Sequence, residues 1–285
     1  MTKPTPVAPA PHLALPAIEL ATADGARCRI AQQGAHVLSW TPAGGSERLF
    51  LSAKADFAAG AAIRGGIPVI FPQFSGEGPL PKHGFARTAQ WKFERSEQLE
   101  DGAAAAHFSL TQEQATHALW PHPFAATLSV RLSGDRLAVT LGVRNTGAKS
   151  FTFTAALHTY LRVSDIALVQ VMGLDGLQYR DTADGGALRT EGLGAVEISG
   201  EVDRIYLNAP RSLTLREQGG DLHVLSDGFS DAVVWNPGAV KGAALSDLEA
   251  GGYARFLCIE SASIGKPVKL AAGAHWTGAQ TLVAH

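Results

Sequence analysis

The chain has 285 residues, of which 46% are apolar, so it can bury a sizeable core. With 24 Lys and Arg against 26 Asp and Glu the formal net charge is -2, which gives no electrostatic footprint for a nucleic acid or an anionic membrane surface. Two cysteines, Cys28 and Cys258, are too few for a disulfide framework and are expected to be free, as in a reducing compartment.

Residues 1–20, MTKPTPVAPAPHLALPAIEL, are interrupted by proline throughout and lack the unbroken apolar stretch of a signal peptide. They read as a flexible lead-in to a single domain over residues 21–285. No later stretch has the roughly 18 consecutive apolar residues of a membrane span. No membrane partner and a cytoplasmic location are therefore expected.

Residues 63–91, IRGGIPVIFPQFSGEGPLPKHGFARTAQW, place cationic side chains among Gly, Pro and Phe. Glycine permits close backbone approach and proline stiffens the chain, so Arg64 is aimed from a constrained loop. Its planar fork suits a carboxylate or a phosphate. Lys82, His83 and Arg87 follow in one short segment, which suits an anionic or polyhydroxylated ligand. The structural alternatives are an arginine that holds a loop by pairing with a carboxylate, and a solvated basic turn.

TQEQATHALW, at 111–120, can carry one short helix. Beyond it the apolar residues alternate at period two: Leu128, Val130 and Leu132, then Leu137, Val139, Leu141 and Val143. Ser133-Gly134-Asp135 between the two runs predicts a hairpin turn. SFTFTAALHTYLRV follows, with Phe151 and Phe153 alternating and His158 late in the run. Further strand-length segments are SLTLREQ, DLHVLSD, DAVVWNP, ARFLCIES and PVKLAAGAHWTGAQTLVAH, each bounded by Gly, Pro, Asp or Asn. The pattern predicts an all-β chain forming one large antiparallel β-sandwich whose concave face or loops hold a ligand.

Glu260 follows the apolar run Phe256-Leu257-Cys258-Ile259 and so ends a buried strand segment. Burial raises a carboxyl pKa, which suits a general base near neutral pH; an ion-paired strand end is the structural alternative. His158 is by the same logic a strand histidine with either a packing or a catalytic role. His117 and His122 lack further ligands, Asp181 and Asp184 resemble a turn, and neither GxSxG nor GxxxxGK[ST] occurs. No metal, redox or nucleotide cofactor is expected. What remains is a cofactor-free acid/base site.

In order and spacing, GAHVLSW (34–40), IRGGIPVIFP (63–72), PKHGFAR (81–87), ALHTYLRVSDI (156–166), VDRIY (202–206), VVWNPG (233–238) and CIESA (258–262) resemble the hexose-6-phosphate mutarotases, or glucose-6-phosphate 1-epimerases, of the aldose 1-epimerase superfamily. The resemblance covers nearly the whole chain after residue 20. It implies a β-sandwich of the galactose-mutarotase type that interconverts the α and β anomers of a hexose 6-phosphate. It also implies His158 as general acid, Glu260 as general base, Arg64 and Arg87 at the phosphate, and His83 and Asp203 at the sugar. Gln73 stands where some relatives carry tryptophan. A monomer with a small sugar phosphate as its only partner is expected. The alternatives are an aldose 1-epimerase of unphosphorylated sugars and a noncatalytic carbohydrate-binding sandwich.

Overall fold

The computed structural model describes residues 15–217 and 219–285. Residues 1–14 of the expected lead-in lie outside them, and Ala17–Ala21 already forms the first strand. Two large antiparallel sheets carry the fold, with a three-stranded sheet (Ala17–Ala21, Arg27–Ala31, His36–Thr41) beside them.

One large sheet runs Val196–Glu197, Gln170–Met172, Ser212–Arg216, Leu222–Asp227, His275–Ala284, Arg136–Asn145, Phe124–Ser133, Ala104–Thr111 and Lys92–Gln98. The predicted hairpin is present: Ser133 pairs with Arg136 across Gly134-Asp135, and Gly134 adopts φ +47°. Leu128, Val130 and Leu132 and the facing Leu137, Val139 and Leu141 are all buried, as their alternation requires. The predicted short helix forms over Gln114–Leu119. The C-terminal run read as one piece divides at residues 271–274, where Gly273 turns the chain at φ +75° before His275–Ala284.

The other large sheet runs Ala187–Thr190, Gln178–Asp181, Val202–Tyr206, Asp231–Asn236, Phe256–Leu270, Phe151–Leu157 and Val69–Ile70. Its residues Leu157, Val234, Leu257 and Ile259 face the first sheet and share one apolar cluster with Leu128, Leu141 and Leu282. Because side chains alternate along a strand, Cys258 and Glu260 must face the other way. The neighbouring residues on that opposite face, Tyr160, Phe256 and Cys258, and separately Ala156, Val233 and Ala262, form smaller clusters of their own. The candidate site lies on this outer face.

Candidate active site

A gap in strand pairing brings His158 to Glu260. Phe151–Leu157 and Tyr160–Arg162 both pair with Phe256–Leu270, with Leu157 opposite Ser261 and Tyr160 opposite Cys258. His158 and Thr159 fall between these pairings and therefore lie beside Ile259 and Glu260. On the other flank Val233 is paired with Glu260, and Asp203 with Trp235. Period-two alternation across these strands places Asp203, Trp235, Glu260, His158 and Tyr160 around one cleft of about 320 Å³. Residues from the 63–91 segment, Arg64, Phe74, Ser75, Lys82, His83 and Arg87, form its remaining wall. All six residues singled out from the sequence thus line one cavity.

His158 Nε2 lies 3.3 Å from Glu260 Oε1, and the two residues are only 7% and 1% exposed. The imidazole stacks on Tyr160, with centroids 4.9 Å apart, and meets the edges of Trp235 and His83. Burial drives the Glu260 carboxyl well above its ordinary range, and Asp203 adds repulsion. Burial likewise drives His158 well below the ordinary imidazole value, helped by His83, Arg64 and Arg87. Both shifts favour a neutral imidazole beside a protonated carboxyl. That distribution differs from an imidazolium–carboxylate pair only in where one proton sits along the Nε2···Oε1 line. His158 Nδ1 and Glu260 Oε2 are buried and have no protein hydrogen-bond partner.

The wall segment is held rigid by its glycines and by buried polar groups. A Cβ on Gly66 would come 2.2 Å from Val37 O, and one on Gly84 would come 2.3 Å from Phe71 O. His36, held neutral with its pKa lowered to about 4 by burial, reaches Gly65 O from Nε2 at 2.7 Å. Gln73 does not line the cleft: it donates to Ser75 O and Leu80 O at 3.1 Å and accepts from Leu80 N at 2.9 Å. It braces the 73–80 turn from within. His83 adopts φ +68°, and its Nδ1 accepts from the Ser75 backbone N–H at 3.3 Å. Burial, Arg87, Lys82 and Arg64 push its pKa down to about 3. The ring is therefore neutral with its proton on Nε2, a hydrogen-bond donor at the cleft.

The two arginines differ. Arg64 Nε lies 3.2 Å from both carboxylate oxygens of Asp247, its Nη2 is 3.0 Å from Oδ2, and its Nη1 donates to the Tyr160 hydroxyl at 3.0 Å. Three of its five N–H groups are thereby engaged, which is the loop-holding role weighed as the alternative from sequence. Burial opposes its charge, but Tyr160 and Asp247 outweigh burial and hold the pKa above the ordinary value. Arg87 donates to Lys82 O at 2.9 Å, while its buried Nε has no protein partner. Burial and the adjacent Arg64 charge lower its pKa. Asp203 is raised by burial. Sequence reasoning gave no site role to Asp247, Trp235 or Tyr160; only the last two, which lie inside the quoted VVWNPG and ALHTYLRVSDI motifs, left a signal.

A family model for aldose 1-epimerase matches residues 16–282. The chain belongs to the aldose 1-epimerase family. Within this family it is 40% identical over 255 residues to a protein of Cenchrus ciliaris named "Putative glucose-6-phosphate 1-epimerase", covering 86% of this chain and 77% of that one. A protein of the same name from Escherichia coli K12 is 35% identical over 249 residues, covering 86% and 82%. Among solved structures, the "putative mutarotase (YeaD)" of Salmonella typhimurium superposes with a TM-score of 0.85 at 30% identity, over 96% of this chain and 97% of that one. The all-β antiparallel fold expected from the alternation is the fold of this aldose 1-epimerase relative. Both cysteines are free, as expected, and both are buried. Among the described residues no helix is long and apolar enough to cross a membrane.

Proposed function

We propose that the chain interconverts the α and β anomers of a hexose 6-phosphate, glucose 6-phosphate first among them, with His158 and Glu260 as acid and base. The observation that carries this reading is the buried His158–Glu260 contact at 3.3 Å inside a cleft walled by Lys82, Arg87 and Arg64. The reaction needs two proton transfers at two oxygens of one carbon. Glu260 as carboxylate takes the proton of the C1 hydroxyl while His158 Nε2 protonates the ring oxygen, and the C1–O5 bond breaks to give the aldehyde. Rotation about C1–C2 presents the other carbonyl face. His158 then takes the O5 proton, Glu260 returns its proton to O1, and the ring closes as the other anomer.

After ring opening the pair is a neutral imidazole and a protonated carboxyl, the form that burial favours in the free protein. One proton inventory therefore serves both directions. Each transfer contributes about a hundredfold to ten-thousandfold, which is enough for a reaction that already proceeds unaided. The neutral His83 Nε2–H and the Asp203 carboxyl are suited to sugar hydroxyls. Arg87 with Lys82 is suited to the phosphate, and Arg64 adds its two uncommitted N–H groups. Every group comes from one chain, which supports a monomer. A doubly charged substrate that does not cross bilayers supports a cytoplasmic location.

NMR magnetization exchange between anomers tests the reading. Acceleration for glucose 6-phosphate and not for glucose or galactose is expected. Equal acceleration of free and phosphorylated sugars would establish the second reading, a free-sugar epimerase, which the pairing of Arg64 with Asp247 favours. No acceleration of any sugar would reject both.

A further inference from the structure

We infer that Gln280 is a positioning residue that sets the separation of His158 and Glu260 from the opposite sheet; the inference rests on the acid/base reading of that pair. Gln280 lies in His275–Ala284, on the sheet that contributes nothing to the cleft, and is 1% exposed between the sheets. Its Nε2 donates to Ile259 O at 3.1 Å and to Ser261 Oγ at 3.0 Å, the residues on either side of Glu260. Its Oε1 accepts from Thr159 Oγ1, on the residue after His158. One amide thus grips both chain segments that present the acid and the base, and each of its polar atoms is used.

The arrangement continues on both sides. Ser226, paired with Gln280 across the strands, is hydrogen-bonded to Ser261 Oγ, and Ile259 N–H donates to Thr159 O at 3.2 Å. The surroundings are otherwise apolar, with Leu282, Val139 and Leu257 nearby in the shared core. An apolar side chain would fill such a position without needing three polar partners, and a buried amide gains little net stability over that solution. What the amide adds is geometry. His158 lies where the two pairings leave a gap bridged by one ladder bond, Ile259 N–H to Thr159 O, with the His158 N–H turned away to Pro68 O at 3.0 Å, so the sheet ladder alone holds its height relative to Glu260 weakly. Gln280 fixes that height through Thr159.

The test separates positioning from stability. Gln280→Met removes the amide but strands Thr159 and Ser261. The triple variant Gln280→Met, Thr159→Val, Ser261→Ala removes both hydroxyls that Gln280 touches and leaves only the Ile259 carbonyl without its amide donor, while Ser226 is half-buried and can turn to water. The single variant should melt lower and the triple variant should regain most of the native melting temperature, since removing both partners of a hydrogen bond is close to neutral and only the Ile259 carbonyl stays unpaired. In both, kcat for anomer exchange should fall roughly tenfold to a hundredfold with KM changed less than about twofold, because misplacement by an ångström costs rate and not binding. In the free triple variant the imidazole NMR titration of His158 should also move. A triple variant that regains native kcat together with native stability overturns the inference. If the native protein exchanges no sugar anomers the acid/base reading has failed instead, and unchanged His158 ring signals in the triple variant would then overturn the positioning role on their own.

Discussion

The two large sheets are built by different rules. From Lys92 to Asn145, four successive strands each pair with the one before in sequence, and their side chains alternate in and out without a break from Phe124 to Asn145 except at one turn. In the cleft-bearing sheet, Phe256–Leu270 lies between Asp231–Asn236 and Phe151–Leu157, the latter about a hundred residues earlier, and its register shifts between Ser263 and Val268. Local periodicity suffices to specify those four strands. The cleft-bearing sheet has both faces burdened, one with the core and one with ionisable groups, and the strand that carries Glu260 meets the segment before His158 only through long-range pairing. Stability and chemistry are thus expected to separate by sheet.

The largest effects should come from the cleft. His158→Asn and Glu260→Gln should each lower anomer exchange about a hundredfold to ten-thousandfold while circular dichroism remains native-like, and the double variant should lose little more than either single one. In the other sheet Leu141→Ala should cost about 2–5 kcal/mol in denaturant unfolding yet leave exchange per folded molecule unchanged. A loss of turnover in Leu141→Ala comparable with that of Glu260→Gln would erase the distinction between the sheets.

Within the cleft the two arginines should differ in kind. Arg87→Ala should raise KM for glucose 6-phosphate roughly tenfold to a hundredfold, since hydrogen bonds to charged groups contribute about 1.5–3 kcal/mol, with melting little altered. Arg64→Ala should in addition lower the melting temperature, because Asp247 and Tyr160 lose their partner. Paired KM and melting measurements decide this, and identical behaviour of the two variants would count against it.

A smaller effect carries a definite sign. A carboxyl held above its ordinary value in the folded chain keeps its proton where the unfolded chain has lost it, so stability falls as pH rises from the ordinary carboxylate value through the folded one. Glu260→Gln lacks this loss. Its melting temperature should exceed that of the native chain increasingly as pH rises from about 4 to 7, by roughly 2–4 °C for each kcal/mol of the penalty. Turnover should fall on the acid side below the ordinary imidazole value, as His158 gains a proton, and on the alkaline side above the ordinary carboxylate value, as Glu260 loses one. Turnover that fell on neither side would show that the pair does not titrate as one acid and one base. Smallest of all, Lys92→Ala, which breaks an exposed pair with Glu94 on the edge strand, should leave both melting and exchange unchanged within error.

These differences follow what could be read along the chain. The alternation at Leu128–Leu132 and Leu137–Val143 needs only neighbours in sequence, and the Gly134 turn announces itself. His158 and Glu260 could be singled out because each interrupts or ends an apolar run. Asp247 could not, since its stretch, SDLEAGG, looks like any solvated turn and its partner Arg64 is 183 residues away. Gln280 was hidden in a different way. In TGAQTLVA a polar residue at an alternating position reads as outward-facing, whereas Gly278, Gln280 and Leu282 point inward. Register decides which face a strand turns inward, and register here is set by the Arg136–Asn145 and Leu222–Asp227 neighbours.

Cys258 lies two residues before Glu260, fully buried, with its thiol pushed well up chiefly by burial and further by any charge on the neighbouring Glu260. Cys28 is buried in the three-stranded sheet with its thiol likewise raised by burial. Neither thiol offers a thiolate to an electrophile or oxidant while the chain is folded. Each becomes reactive only when its own strand opens. The two cysteines therefore act as internal clocks: the labelling rate of Cys28 times the opening of the small sheet, and that of Cys258 times the release of the strand that carries Glu260.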